Sequence, residues 1–189
     1  LTLKVAMRYV HRFLDMEIER LQKGKTVQIQ SLENELERHL TMKSGLSVRV
    51  YGKADRIESE NGLLQVIDYK TGKTENRELK IKDWDDFAAD PKLNKAFQLL
   101  LYAYMLPPEL NADNFKSGIL TFRELSAGMK SVSIEREKRK DLINSQVLER
   151  FEQVLKSLIA EVFDPEIPFS QTEDVSICAY CDFADMCNR

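Results

Sequence analysis

Asp55, Asp68 and Lys70 are the residues of this chain whose types and spacing best suit chemistry. Two carboxylates, with the backbone carbonyl of Tyr69 between Asp68 and Lys70, offer hard oxygen donors. Mg²⁺ takes one or two carboxylates and fills its other octahedral positions with water and phosphate oxygens; Mn²⁺ is the alternative occupant. Such an ion lowers the pKa of a bound water and neutralises charge building on a phosphoryl group. A lysine beside it would orient or deprotonate that water, or stabilise a pentavalent transition state by charge. The set points to phosphodiester hydrolysis.

Two strand-like runs must position these side chains. They flank Asn61-Gly62, the strongest short-range signal for a two-residue hairpin loop. Glu60 then pairs with Leu63, and counting outward sets Asp55 opposite Asp68 and Lys53 opposite Lys70. Asp68 and Lys70 are two apart and project from one face. Opposed side chains have Cβ atoms about 4.5–5.5 Å apart, where like charges are destabilising, and a divalent cation is the simplest compensation. A solvated strand pair would keep one face polar. Here Ala54, Leu63, Ile67 and Tyr69 line one face and Ile57, Leu64 and Val66 the other, which predicts a covered central strand. Buried charge in such a strand is costly unless paired or metal-bound.

The rest of the chain supplies the frame. Residues 3–22 suit an amphipathic helix with the apolar stripe Leu3, Met7, Val10, Leu14, Ile18 and Leu21, ended by Lys23-Gly24-Lys25. Val27 and Ile29 alternate as in a short strand. The stretch 32–42 has both helical and alternating spacing and reads as strand, because Ser44-Gly45 leads into Leu46, Val48 and Val50. Residues 46–58 and 63–70 form the central pair. The charge-rich stretch 73–91 reads as a long loop, with Trp84 either a packing anchor or a ligand contact. A helix over 92–106, a strand at 115–124, its partner at 129–134 and a helix over 136–163 follow. The order predicts one α/β domain over 1–169, a mixed central sheet flanked by helices, with a cysteine-containing tail over 170–189 packed on it.

A chain of 189 residues can bury one full core, and 43% hydrophobic with 31% charged residues argues against extended disorder. The net charge of −3 gives no global basic footprint, although an active site needs only a local positive groove. No apolar run reaches the roughly 18–20 residues of a membrane span, and no signal-peptide pattern opens the chain. Three cysteines in the last dozen residues do not make a secreted disulfide framework, so a cytoplasmic location is expected. The first residue is Leu1 rather than Met, and the chain reads as an excised piece of a longer protein. Gly72-Lys73-Thr74 imitates the end of a phosphate-binding loop, but that loop needs a glycine where Ile67 stands.

Gly-x-x-Asp at residues 52–55, followed by apolar-Asp-Tyr-Lys-Thr-Gly at residues 67–72, resembles the PD-(D/E)XK nuclease superfamily, specifically its RecB-like, AddB-type branch. Gln98-Leu99-Leu100-Leu101-Tyr102 looks like that branch's Gln-x-x-x-Tyr motif, its two polar residues one helical turn apart. The resemblance implies a restriction-endonuclease-like core and a Mg²⁺-dependent exodeoxyribonuclease acting on single-stranded DNA or duplex ends in repair or recombination. It implies metal at Asp55, Asp68 and the Tyr69 carbonyl, catalysis by Asp55, Asp68 and Lys70, and positioning by Gln98 and Tyr102. It also implies a helicase or recombination partner, as a subunit or a further domain.

Cys178, Cys181 and Cys187 resemble the cysteine group that holds a [4Fe–4S] cluster in AddB-type and CRISPR-adaptation nucleases, with the fourth cysteine supplied from upstream. A zinc site with another ligand and free thiols are the other readings. The family's histidine on an N-terminal helix has no match: His11 and His39 read as structural or surface residues. Glu33 reads as an accessory acid or a solvated charge. These departures motivate an alternative function, a catalytically inactive nuclease-fold scaffold that binds DNA or a protein partner.

Overall fold

A computed structural model describes residues 2–110, 113–168 and 170–189 of the chain. Residue 169, where the sequence places a domain boundary, lies outside the described residues. Contacts divide the chain into two compact units, Leu1–Lys156 and Ser157–Arg189.

In chain order the elements are α1 (Thr2–Gln22), β1 (Val27–Thr41), β2 (Ser47–Glu60), β3 (Leu63–Lys70), β4 (Lys80–Ile81), α2 (Trp84–Phe87), α3 (Asn94–Tyr104), β5 (Lys116–Thr121), β6 (Lys130–Ser131), β7 (Ser133–Ile134) and α4 (Ser145–Val162), the last crossing into the second unit. The main sheet has the order β1-β2-β3-β5-β6, and β4 and β7 form a separate pair. β3 runs parallel to β5, while the other pairings in the main sheet are antiparallel. This is the mixed α/β architecture of a restriction-endonuclease-like core.

The central hairpin follows from its turn. Asn61 and Gly62 take φ of +51° and +81°, the left-handed pair a two-residue type I′ loop requires. Glu60 pairs with Leu63, and the register holds outward to Arg56 opposite Ile67. There β2 leaves β3, and its remaining residues pair with β1 alone as far as Ser47. The expected continuation of the ladder to Asp55–Asp68 and Lys53–Lys70 is therefore corrected: Lys53 pairs across to Glu35 of β1 instead.

Long-range packing corrects other expectations. Val27, Ile29 and the stretch 32–42 as far as Thr41 belong to one strand, β1, with a single irregularity between Ile29 and Ser31. The stretch 73–91 is not a loop. It holds 3-10 turns at Asn76–Leu79 and Pro91–Leu93 as well as β4 and α2, and it buries Leu79, Ile81 and Phe87. Elements of two to four residues are too short to show a period. Trp84 packs edge-on against Phe87 at 5.6 Å, as a local anchor. The segment 129–134 splits into β6 and β7, which belong to different sheets. Residues 136–144 are not helical, because the backbone of Ile143 pairs with Phe115; α4 starts only at Ser145.

Helix α1 forms over the expected span but turns its other side to the sheet. Leu3, Met7, Val10, Leu14, Ile18 and Leu21 are all exposed. Phe13 and Met16 instead pack on Ile67, Leu120 and Leu125. The reason is electrostatic: that face of the sheet buries Arg56 and Glu58, and buried charge needs partners. Glu17 and Arg20 supply them, with Arg56 to Glu17 at 2.8 Å and Arg20 to Glu58 at 2.6 Å. On the other side, Leu99 and Leu100 of α3 are fully buried, and Ser117 Oγ of β5 donates to the Leu99 carbonyl at 3.0 Å.

In the second unit, two 3-10 turns, Val175–Tyr180 and Ala184–Cys187, carry Cys178 and Cys187. No helix among the described residues is long and apolar enough to cross a membrane.

Candidate active site

Asp68 lies in the central strand β3, opposite Ile119 of β5, and only 3% of it is exposed. Lys70, two residues on, brings its Nζ to 2.9 Å from Asp68 Oδ2. The other oxygen, Oδ1, accepts from Gln98 Nε2 at 3.4 Å, and the same amide donates to the Tyr102 hydroxyl at 2.7 Å. Gln98 and Tyr102 stand one turn apart on α3, so the helix presents both to the carboxylate side of the sheet.

Asp55 reaches the site differently. Its Oδ2 accepts the backbone N–H of Tyr69 at 2.7 Å, replacing the ladder bond that β2 no longer supplies. The Lys70 carbonyl accepts from Phe122 N and so faces β5. Backbone groups alternate along a strand, so the Tyr69 N–H and carbonyl face the side vacated by β2. The structure thus brings Asp55, Asp68, Lys70, Gln98 and Tyr102 together, with the Tyr69 carbonyl at the strand edge.

Electrostatics marks Asp68 as the unusual group. Burial pushes its carboxyl above the ordinary aspartate range, the Lys70 ammonium opposes that shift, and the charge of Asp55 adds to it. Lys70 meets Oδ2 at ion-pair distance, yet that buried oxygen has no partner in hydrogen-bond geometry. A buried carboxylate oxygen whose one cationic partner is a part-exposed lysine, beside a second carboxylate, fits a hard divalent cation, with Asp55, Asp68 and the Tyr69 carbonyl as donors. No group of three or more His, Cys, Asp or Glu side chains is gathered for a metal among the described residues. Mg²⁺ tolerates that, since it needs only one or two carboxylates.

Other residues do not join the site. His11 and His39 are exposed. Glu33 is exposed and paired with Lys53 at 2.6 Å, as a solvated charge would be. In the second unit, Cys178, Cys181 and Cys187 form no disulfide among the described residues.

The sequence reading missed what holds the loop after Lys70. Thr74 is completely buried. Lys95 of α3 donates to the Lys73 carbonyl at 3.1 Å and pairs with Glu78 at 2.9 Å, while Lys130 of β6 donates to the Thr74 carbonyl at 2.7 Å. Nothing local distinguishes these lysines from solvated ones. Behind the sheet, Arg56 Nη1 donates to the Tyr69 hydroxyl at 3.3 Å, bracing the strand from the opposite face. Gly52 is also part of the frame. A Cβ there would lie 3.1 Å from Met105 Cε and 3.2 Å from Tyr102 Cε1, so glycine lets the β1–β2 ribbon lie against α3.

No curated protein matches the chain. A solved structure described as "Crystal structure of SSO0001" is similar at 17% identity and a TM-score of 0.39, covering 93% of this chain and 67% of the other. The model of the PD-(D/E)XK nuclease superfamily matches residues 2–188, nearly the whole chain. With that match spanning the strands and the helix that assemble Asp55, Asp68 and Lys70, the chain belongs to the PD-(D/E)XK nuclease superfamily.

Proposed function

We propose that this chain is a Mg²⁺-dependent DNA nuclease domain of a larger protein, of the RecB/AddB type, hydrolysing phosphodiester bonds of single-stranded DNA or duplex ends. The observation that carries the reading is the buried Asp68 carboxylate, raised by burial and by Asp55, whose Oδ2 is met by the Lys70 ammonium alone.

Asp55, Asp68 and the Tyr69 carbonyl would hold the cation, which when bound polarises the scissile phosphate and acidifies a water. Gln98 fixes Asp68 through Oδ1 and leaves Oδ2 toward Lys70. Tyr102 accepts from the same amide and fixes its orientation. Lys70, about a third exposed, can turn its ammonium to the attacking water or to the phosphate oxygens. The clamp on residues 73–74 keeps the end of β3 in place while it does so. Action alongside a helicase or recombination partner, and a [4Fe–4S] cluster completed by a cysteine from elsewhere in the protein, belong to the same proposal.

The test is cleavage of end-labelled single-stranded DNA with Mg²⁺ by the protein and by Asp68→Ala and Lys70→Ala. Both variants should lose activity; undiminished cleavage by both would sink the assignment. A second reading, a nuclease-fold scaffold that binds DNA without turnover, is favoured by one observation. No third acidic or histidine side chain joins the carboxylate pair among the described residues. DNA binding with no cleavage in Mg²⁺ or Mn²⁺ would select it.

A further inference from the structure

One buried polar group on the active-site face takes no part in the carboxylate and lysine arrangement. Thr121, the last residue of β5, is 2% exposed, and its Oγ1 has no hydrogen-bond partner. A buried hydroxyl without a partner is destabilising, and native structures keep few of them.

The register fixes where it stands. β3 and β5 pair without interruption from Gln65–Lys116 to Lys70–Thr121. Aligned residues of a parallel pair share a face, and the face alternates along each strand. Ser117 and Ile119 therefore lie on the face of Thr121. Ser117 Oγ donates to the Leu99 carbonyl of α3, the helix that presents Gln98. Thr121 thus stands on the same side of the sheet as Asp68 and Lys70, directly beside Lys70 on the neighbouring strand. Neighbouring strands are about 4.8 Å apart, a gap the four-carbon stem of a lysine spans easily.

The cations nearby leave one candidate donor. Lys130 of β6, opposite Ile119, is held by the Thr74 carbonyl and Glu124. Lys95 is held by the Lys73 carbonyl and Glu78. Lys70 is about a third exposed, carries three N–H donors, and has its ion pair with Asp68 Oδ2 at 2.9 Å. Once Asp68 is committed as a cation ligand, Lys70 must release Oδ2 and needs another acceptor to keep its aim.

We propose that the Thr121 hydroxyl is the second seat of Lys70: it accepts one N–H of the ammonium when Asp68 turns to the divalent cation, and leaves the other two N–H groups for the phosphate and the attacking water. Thr121 is a positioning residue that acts through Lys70, a role that rests on the nuclease reading.

The test compares Thr121→Val, which keeps the shape and removes the hydroxyl, with Thr121→Ser, which keeps the hydroxyl. Melting is followed with and without Mn²⁺, and cleavage of end-labelled single-stranded DNA is followed in Mg²⁺. Without cation, Thr121→Val should melt no lower than wild type, because only an unpartnered hydroxyl is lost. The rise in melting temperature on adding Mn²⁺ should be about 2–4 °C smaller in Thr121→Val than in wild type. That difference should vanish in a Lys70→Met background. The kcat of Thr121→Val should fall roughly tenfold with KM unchanged, and Thr121→Ser should restore both the rise and kcat. Melting lowered by the same amount with and without Mn²⁺ marks a packing role and overturns the proposal. An equal Mn²⁺-induced rise and unchanged kcat in Thr121→Val, with cleavage that still requires Asp68, overturn the role of Thr121 and leave the nuclease reading intact. Cleavage and a Mn²⁺-induced rise that both survive Asp68→Ala remove the nuclease reading and this role with it.

Discussion

The Asp55 carboxylate accepts the Tyr69 backbone N–H at 2.7 Å, one residue beyond the last paired position of β2 and β3. One side chain thereby does two things. It satisfies the strand edge that β2 abandons, and it holds a negative charge beside buried Asp68. The opening between the strands and the carboxylate pair are the same structural event.

That double role separates two substitutions. Asp55→Asn keeps an oxygen for the Tyr69 N–H and should lose divalent-cation binding with little loss of stability. Asp55→Ala also leaves the N–H unpaired and should cost about 1–2 kcal/mol more in urea unfolding. Equal stability of the two variants would show that the cap contributes nothing.

Asp68→Asn should abolish cleavage while stabilising the protein. Burial raises the folded-state carboxyl above its ordinary range. Between the ordinary and the raised value the folded state holds more protons than the unfolded state, so this group's contribution falls as pH rises and its full cost is present above the raised value. The variant should melt about 2–4 °C higher at pH 7 for each kcal/mol regained. The advantage should vanish in acid, where the wild-type carboxyl is protonated. A variant less stable at pH 7 would contradict this.

Gln98 is a positioning residue: it acts through Asp68. Gln98→Ala should lower kcat roughly ten- to a hundredfold, with the divalent-cation affinity shifting only a few-fold. Tyr102→Phe removes the acceptor of the second N–H and should do less. A Gln98→Ala enzyme with normal kcat would remove the motif from the account.

Gly52→Ala places a methyl group against Tyr102 and Met105. It should destabilise by about 1–3 kcal/mol and reduce kcat by displacing Tyr102. Thermal melting and steady-state kinetics on the one variant check both effects.

Local chemistry made part of this molecule readable in advance. Asn61-Gly62 set the hairpin register, because both residues accept left-handed φ and the pattern on either side permits only one pairing. The common face of Asp68 and Lys70 follows from a spacing of two. What local pattern could not reveal depends on distant partners. The start of α4 is fixed by Ile143 meeting Phe115 across the fold. The face α1 buries is chosen by Arg56 and Glu58, not by its own apolar stripe. The departure of β2 at Asp55 and the lysine clamp on Thr74 likewise join residues far apart in sequence.

Titration of the protein with Mn²⁺, read by loss of the free-ion paramagnetic resonance signal, tests the central claim that Asp55 and Asp68 frame a divalent-cation site. The account predicts saturable, stoichiometric binding that disappears in Asp68→Ala and survives in Lys70→Ala. Equal binding by wild type and Asp68→Ala, or none by the intact protein, would contradict it.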